Sequence, residues 1–152
     1  MNAFKDPYQR QVLANAKALA AALKDTGLDV AGDAAMGYTE THQVIVQVGY
    51  GRGPEVARRL EDNNIIVNYQ AGPTEEGFTA SGALRMGVAE MTRFGMQEAD
   101  MQTLAQLIHD VVADQRRVKD EVAALRKRFR EMHFCFPAKD IRDLLEGLIR
   151  HL

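Results

Sequence analysis

Apolar positions recur at helical spacing in several long stretches of the chain. They predict helices over residues 7–24, from 53 onward, over 101–112, over 116–132 and over 138–152. An apolar stripe with this period is typical of an amphipathic helix that packs on a core. Asp6 followed by Pro7 is expected to open the first helix, since an acceptor side chain there can cap its free N–H groups. Gly27 is expected to end it.

Short runs of β-branched and other apolar residues lie between the predicted helices. Val44, Ile45, Val46 and Val48 predict a mostly buried strand. Residues 28–34 predict a weaker strand that pairs with it through a turn at 37–41, and residues 65–68 and 80–86 predict two more. The expected fold class is therefore α+β: a small, mainly antiparallel sheet with helices packed on one face, plus extra C-terminal helices.

The last predicted helix carries a regular apolar stripe formed by Ile141, Leu145, Leu148 and Leu152. Such a stripe needs a partner surface, so we expect it to be buried against the rest of the chain or against another chain. Pro137 separates this helix from what precedes it. The expected organisation is a main body at residues 1–132, followed by an amphipathic C-terminal helix at 133–152 that extends the same domain.

Composition narrows the possible classes of function. The chain has 152 residues, 46% apolar and 26% charged, as a single globular domain would. A net charge of -2 argues against binding to nucleic acid or to an anionic membrane. Neither a signal peptide nor a membrane-spanning apolar run is evident, and the single cysteine, Cys135, can form no internal disulfide. We therefore expect a cytoplasmic protein.

Candidate chemistry centres on Arg85, which ends a short apolar run between Gly82 and Gly87. An arginine among apolar residues is costly unless a planar anion meets it, and flanking glycines let a ligand approach closely. From spacing alone, an edge strand with the arginine in water is equally favoured. The four histidines lack metal-ligand spacing. The glycine-rich run 49–54 is expected to be a tight turn rather than a dinucleotide loop, because Pro54 removes a backbone donor.

The same region resembles the C-terminal domain of serine (glycine) hydroxymethyltransferase, a pyridoxal-phosphate enzyme of the aspartate-aminotransferase fold type. That family typically has S-G-I-R-[IV]-G-T-P-A-[ILM]-T-x-R-G-[FM] here. The chain matches it in order at Ser81, Gly82, Arg85, Gly87, Thr92, Gly95 and Met96. The segments PYQRQVLANAKALA at 7–20, TETHQVIV at 39–46 and IIVN at 65–68 also resemble the family, so that the likeness covers about residues 7–132.

The resemblance implies roles for particular residues. It implies that Arg85 binds the carboxylate of an amino-acid substrate, with Ser81 in the same motif. Because two residues, at 83 and 84, replace one, we expect a bulge before Arg85. Gln70 takes the position of an asparagine that contacts folate, and the loop at 73–77 is shorter than usual, so tetrahydrofolate use is in doubt. His42 matches a turn histidine, for which a structural role is expected.

In that family the cofactor lysine, the phosphate site and the aspartate facing the pyridine nitrogen lie in a large preceding domain. Lys5, Lys17 and Lys24 lack the context of a cofactor lysine. Pyridoxal phosphate is therefore expected only together with a large domain, supplied by another chain or within a homo-oligomer, and the chain is not expected to be active alone. Two hypotheses remain. One is the substrate-binding portion of a hydroxymethyltransferase or related aldolase, with or without folate; the alternative is a non-catalytic interaction module derived from that fold.

Overall fold

The structure is a computed structural model that describes residues 4–72, 80–136 and 138–150. The described helices are α1 (Lys5–Asp25), α2 (Gly53–Asp62), α3 (Ala89–Arg93), α4 (Glu98–Val112), α5 (Lys119–Lys127) and α6 (Ala138–Ile149). The strands are β1 (Asp29–Val30), β2 (Gln43–Gln47), β3 (Asn68–Gln70) and β4 (Ala83–Gly87). The predicted short loop at 73–77 and Leu152 lie outside the described residues.

The four strands form one open antiparallel sheet in the order β1-β2-β4-β3. The structure thus confirms the α+β class and the antiparallel sheet. It also confirms the expected pairing of the first two strands, although β1 is only two residues long. β4 lies between β2 and β3, so its residues are held on both sides by backbone hydrogen bonds.

One face of the sheet forms the core. Val44 pairs with Met86 and Val46 with Leu84, and all four side chains are buried. Helices α1 and α2 pack on the sheet and α4 packs against both, which agrees with the predicted helical layer. The predicted β2 is buried on this face only, because alternate residues of a strand point to opposite sides. Ile45 is accordingly half-buried on the other side.

A buried polar network joins α1 to the segment after β4. Asn15 is fully buried, and its Nδ2 donates to Thr92 Oγ1 and to the carbonyl oxygen of Met96, both at 2.8 Å. Gln11 Nε2 donates to Asn15 Oδ1 at 3.0 Å, which satisfies the remaining acceptor. Because unpaired polar groups are costly inside a protein, this network fixes α3 and the turn after it relative to α1.

Several boundary predictions are wrong. The helix expected at 116–132 covers only Lys119–Lys127, and the strand expected at 28–34 covers only Asp29–Val30. Helix α1 begins at Lys5 after Phe4, with no side-chain cap, so Asp6 lies inside the first turn. The negative charge of Asp6 still interacts favourably there with the positive end of the helix dipole. The third strand was expected at 65–68 but runs from Asn68 to Gln70. Ile65 N–H donates to the carbonyl oxygen of Leu60, so the chain is still closing the end of α2 at that point.

The C-terminal helix is confirmed at Ala138–Ile149, but its apolar stripe is not buried against the described part of this chain, so its burial against another chain stays a prediction. Ile141, Leu145 and Leu148 are half or more exposed, and so is Ile149. Phe134 and Phe136, which precede the helix, pack on Tyr8 and Phe4 near the start of α1. The helix is therefore anchored at its beginning, while its apolar face has no partner within the described residues.

Candidate functional site

Arg85 is the middle residue of β4 and points away from the core. Its neighbours Leu84 and Met86 are buried in the core, so strand alternation places Arg85 on the opposite face of the sheet. Ile45 of β2 lies directly across from it on one side, and Asn68 of β3 on the other. The arginine therefore projects from a paired, central strand rather than from a loop or a sheet edge.

None of the described residues pairs with the guanidinium of Arg85. In the portions of the chain that the structure describes, it has neither a hydrogen-bond acceptor nor an ion-pair partner. By contrast, Arg116 and Arg128 each form ion pairs with nearby carboxylates, at 2.6 and 2.8 Å. The planar donor fork of Arg85 is thus open to an external oxyanion, and the partial burial of the side chain limits competition from water.

Two amide side chains share the face of Arg85. Asn68 pairs with Arg85 itself and Gln70 pairs with Ala83, which puts both amides on the non-core side of the sheet. The sequence singled out Gln70, and the structure brings it to the same face as Arg85. The sequence did not single out Asn68 as a neighbour of the arginine. That pairing depends on the register of β3, and the apolar pattern predicted this strand too early in the chain.

Ser81 lies before β4, outside the paired strand. Its backbone has a positive φ of 38°, and its carbonyl oxygen accepts a hydrogen bond of 2.8 Å from Gly53 N–H. The β2–β4 register continues without interruption from Gln47 opposite Ala83 to Gln43 opposite Gly87. The predicted bulge before Arg85 is therefore wrong: the paired strand is regular, and the irregular backbone is at Ser81.

The glycine-rich run at 49–54 holds this irregular segment in place. Gly51 N–H donates to the carbonyl oxygen of Ala80 at 2.6 Å, and Gly53 N–H donates to that of Ser81. Gly49 and Gly51 have φ of 100° and 70°, in the left-handed region that glycine tolerates. These N–H groups are already used within the protein, so the run is a tight turn, as predicted, and does not have the free donors of a dinucleotide loop.

The residues around Arg85 do not fit a covalently held pyridoxal phosphate. All six lysines lie in helices α1, α5 and α6, and none lies in the sheet. Lys17 is engaged: its Nζ donates to the carbonyl oxygen of Met36 at 3.0 Å and pairs with Glu40. His42 contributes its backbone carbonyl oxygen, which accepts a hydrogen bond from Val88 N–H. Any residue could supply this group, so the structural role expected of the His42 side chain stays a prediction.

Other candidate sites do not join the Arg85 face. An apolar cavity of about 740 Å³ lies on the core side of the sheet and is lined in part by Met86, Met91, Met96 and Met101. Three polar groups, on His109, Asp110 and Asp114, lie within 4.8 Å of one another. Asp110 is already paired with Arg116 and hydrogen-bonded to Gln106, so its charge is compensated without a metal. No helix of the described residues is both long and apolar enough to cross a bilayer.

The fold of this chain also occurs in a solved enzyme structure. The structure resembles that of L-threonine transaldolase from Pseudomonas fluorescens in its internal aldimine state, with a TM-score of 0.72 and 30% sequence identity. The likeness covers 83% of this chain and 28% of the transaldolase chain.

The serine hydroxymethyltransferase family model matches residues 1–108, and the chain belongs to that family. It is 42% identical over 150 residues to the serine hydroxymethyltransferase of Saccharolobus islandicus and 44% identical over 147 residues to that of Pyrobaculum aerophilum. These matches cover 95% and 94% of this chain but only 34% of each relative, so the chain spans about a third of their length. The match is that of a C-terminal domain of the family, whose cofactor is pyridoxal phosphate.

Proposed function

We propose that this chain is the part of a pyridoxal-phosphate-dependent serine/glycine hydroxymethyltransferase or related aldolase that binds the carboxylate of the amino-acid substrate. The observation that carries the proposal is the guanidinium of Arg85, which lies on the outer face of a central strand and has no partner among the described residues. A planar fork of donors matches the two oxygens of a carboxylate, and a fixed strand holds that fork in one orientation.

The surroundings of Arg85 support an orienting role for the sheet. The amides of Asn68 and Gln70 lie on the same face and can both donate and accept hydrogen bonds. Ser81 precedes the strand and its backbone is fixed by Gly53, so its hydroxyl is a second candidate donor to the substrate. Gln70 takes the position at which the family resemblance implies a folate contact, and its amide is carried on a longer side chain than asparagine has. The likeness to a transaldolase favours an enzyme that acts without folate to the same degree.

The cofactor has to be held by other parts of such an enzyme. When bound, pyridoxal phosphate serves as the electron sink for carbanion chemistry. The strands around Arg85 supply no lysine to bind it covalently. What this chain contributes is recognition and orientation: Arg85 would fix the substrate carboxylate, while a large domain, on the same polypeptide or on another chain, would hold the reacting carbon.

The test is a domain exchange. This chain replaces the corresponding third of the Saccharolobus islandicus relative, to which it is 42% identical. The proposal expects the chimaera to bind pyridoxal phosphate and to cleave a 3-hydroxy amino acid. The chain alone should give no borohydride-trappable aldimine at any of its lysines. A stable aldimine on the isolated chain, or a folded, cofactor-loaded chimaera with no activity, would contradict the proposal.

A second candidate is favoured by the exposed face of α6: a non-catalytic interaction module that keeps the family fold. Four large apolar side chains of this helix are half or more exposed, which is unusual for a helix that remains in water. In this alternative, residues 133–152 bind another chain and Arg85 has no ligand. Sedimentation of the chain separates the two: self-association that leaves the chimaera active fits the first proposal, whereas association combined with an inactive chimaera fits the second.

A further inference from the structure

A polar cavity of about 390 Å³ lies where the C-terminal ends of α2 and α4 meet. Its lining includes three arginines, Arg59, Arg116 and Arg117, together with Asp62 and Gln115. Arg59 projects from the last turn of α2, whereas Gln115 and both other arginines follow α4. The cavity therefore collects positive charge from two separate elements, and neither Arg85 nor its neighbours on the sheet line it.

Arg59 is the unusual member of this cluster. All three nitrogens of its guanidinium are shielded from solvent, and none has a hydrogen-bond partner within the described residues. The nearest carboxylate among the described residues is that of Glu55, whose Oε1 lies 3.8 Å from Arg59 Nε; this distance is beyond hydrogen-bond range, and Glu55 itself is mostly exposed. A desolvated guanidinium without an acceptor is strongly unfavourable. An anion in the adjoining cavity would relieve it once the side chain turns its shielded nitrogens toward the anion.

The walls of the cavity are already fixed. Asn63 Nδ2 donates to the carbonyl oxygen of Arg59 at 2.9 Å, and Asn63 Oδ1 accepts from Val118 N–H at 2.7 Å. Arg116 is committed to Asp110 and Glu121, at 2.6 Å each. Arg117, by contrast, has no ion-pair partner in the described parts of the chain. Among the described residues, Arg117 has no ion-pair partner and Arg59 has only the distant, exposed Glu55, so these two arginines carry the least compensated charges of the cavity.

We propose that this cavity binds a small phosphate anion between Arg59 and Arg117. A tetrahedral oxyanion has enough oxygens to accept hydrogen bonds from two arginines at once, which a carboxylate does less completely. Asp62, on the same wall, repels a fully ionised anion but can accept a hydrogen bond from one that retains a proton. Inorganic phosphate still carries a proton near neutral pH whereas sulfate does not, so the cavity should prefer phosphate.

The experiment titrates the full chain with inorganic phosphate, with sulfate and with chloride at constant ionic strength. Calorimetry gives the affinities, and NMR follows the Nε–H signal of Arg59. We expect saturable phosphate binding that shifts this signal, weaker sulfate binding, and no saturable effect of chloride. Arg59→Met should weaken phosphate binding by at least about tenfold. Arg58→Met, on the neighbouring exposed arginine, should leave it unchanged.

Further variants keep the test decisive if Arg59→Met does not fold. Arg117→Met removes the second donor, which is exposed, and should also weaken phosphate binding without disturbing a buried group. Asp62→Asn should reduce the preference for phosphate over sulfate. The proposal is overturned if phosphate does not saturate, if Arg59→Met and Arg117→Met both bind it as the wild type does, or if Arg59→Met lowers stability alone. The last result would make Arg59 a residue that stabilises the fold without binding an anion.

Discussion

Gly53→Ala tests whether the first turn of α2 positions the segment that leads to Arg85. A Cβ at this position would lie 2.2 Å from the carbonyl oxygen of Ser81 and 3.0 Å from Cβ of Tyr69. The first contact is with backbone and cannot be relieved by a side-chain rotation. Either α2 or the backbone at Ser81 must move by about 1 Å to restore an ordinary contact, and the hydrogen bond from Gly53 N–H to Ser81 would be strained.

The expected cost follows from these contacts. Overpacking of this kind costs about 1–3 kcal/mol, and weakening one backbone hydrogen bond adds about 1 kcal/mol. The lower entropy of the unfolded alanine chain returns about 0.4–1 kcal/mol. The net expectation is a loss of about 1–3 kcal/mol in the free energy of unfolding. A loss of about 2 kcal/mol, the middle of this range, lowers Tm by about 4–8 °C for a chain of this size.

The assay is urea and thermal unfolding, with Gly147→Ala as the matched control. A Cβ at Gly147, within α6, meets nothing within 4 Å. That variant should be neutral or slightly more stable, because alanine favours a helix over glycine by about 1 kcal/mol. If Gly53→Ala proved as stable as the control, the close approach of α2 to Ser81 would not exist as described.

Three further predictions concern other parts of the fold. Asn15→Leu removes the donor to the carbonyl oxygen of Met96 and should cost about 2–4 kcal/mol in urea unfolding; an unchanged midpoint would refute the buried network. Hydrogen bonds, first from its own backbone N–H and then from Arg116, lower the pKa of Glu121 below its ordinary value. Because the folded protein favours the ionised carboxylate, Glu121 adds to the free energy of unfolding above pH 4.5, and this contribution is lost as pH falls through the lowered pKa. In Glu121→Gln the free energy of unfolding should therefore fall less steeply with acid. Leu145→Asp should leave the unfolding free energy within about 0.5 kcal/mol but abolish any association measured by sedimentation; a large loss of stability in a monomeric chain would show that α6 is buried after all.

The longer helices were predictable because their apolar spacing requires only that one side of each meets a core, whereas the five-residue α3 is too short to show that period. β2 was predictable for the same reason, but its single buried face was not, because Ile45 looks like its neighbours until the sheet is formed. The early placement of β3 came from an apolar run that in fact connects α2 to β3: Ile65 is buried, whereas Ile66 is 85% exposed. Strand boundaries depend on the pairing partner, which lies far away in the sequence.

The candidate site shows the same division. Arg85 could be found from its apolar context and its flanking glycines, whereas its pairing with Asn68 required the register. The extra residue before Arg85 was expected to produce a bulge, but Ser81 takes up the irregular backbone outside the strand. Arg58 and Arg59 are identical in type, and only the three-residue spacing of Arg59 from the buried Val56 hinted that the second arginine faces inward.

The central claim is that Arg85 binds the substrate carboxylate. Its most direct test is Arg85→Lys in the chimaera with the large domain of the Saccharolobus islandicus relative, with Arg10→Lys on the exposed surface of α1 as the control. The change keeps the charge and removes the bidentate fork, so kcat/KM for the amino-acid substrate should fall at least about tenfold, or about 1.4 kcal/mol of transition-state stabilisation. Folding stability and cofactor content should not change. Full activity in Arg85→Lys, or a fall that merely follows a loss of stability, would contradict the assignment of Arg85 as the carboxylate-binding residue.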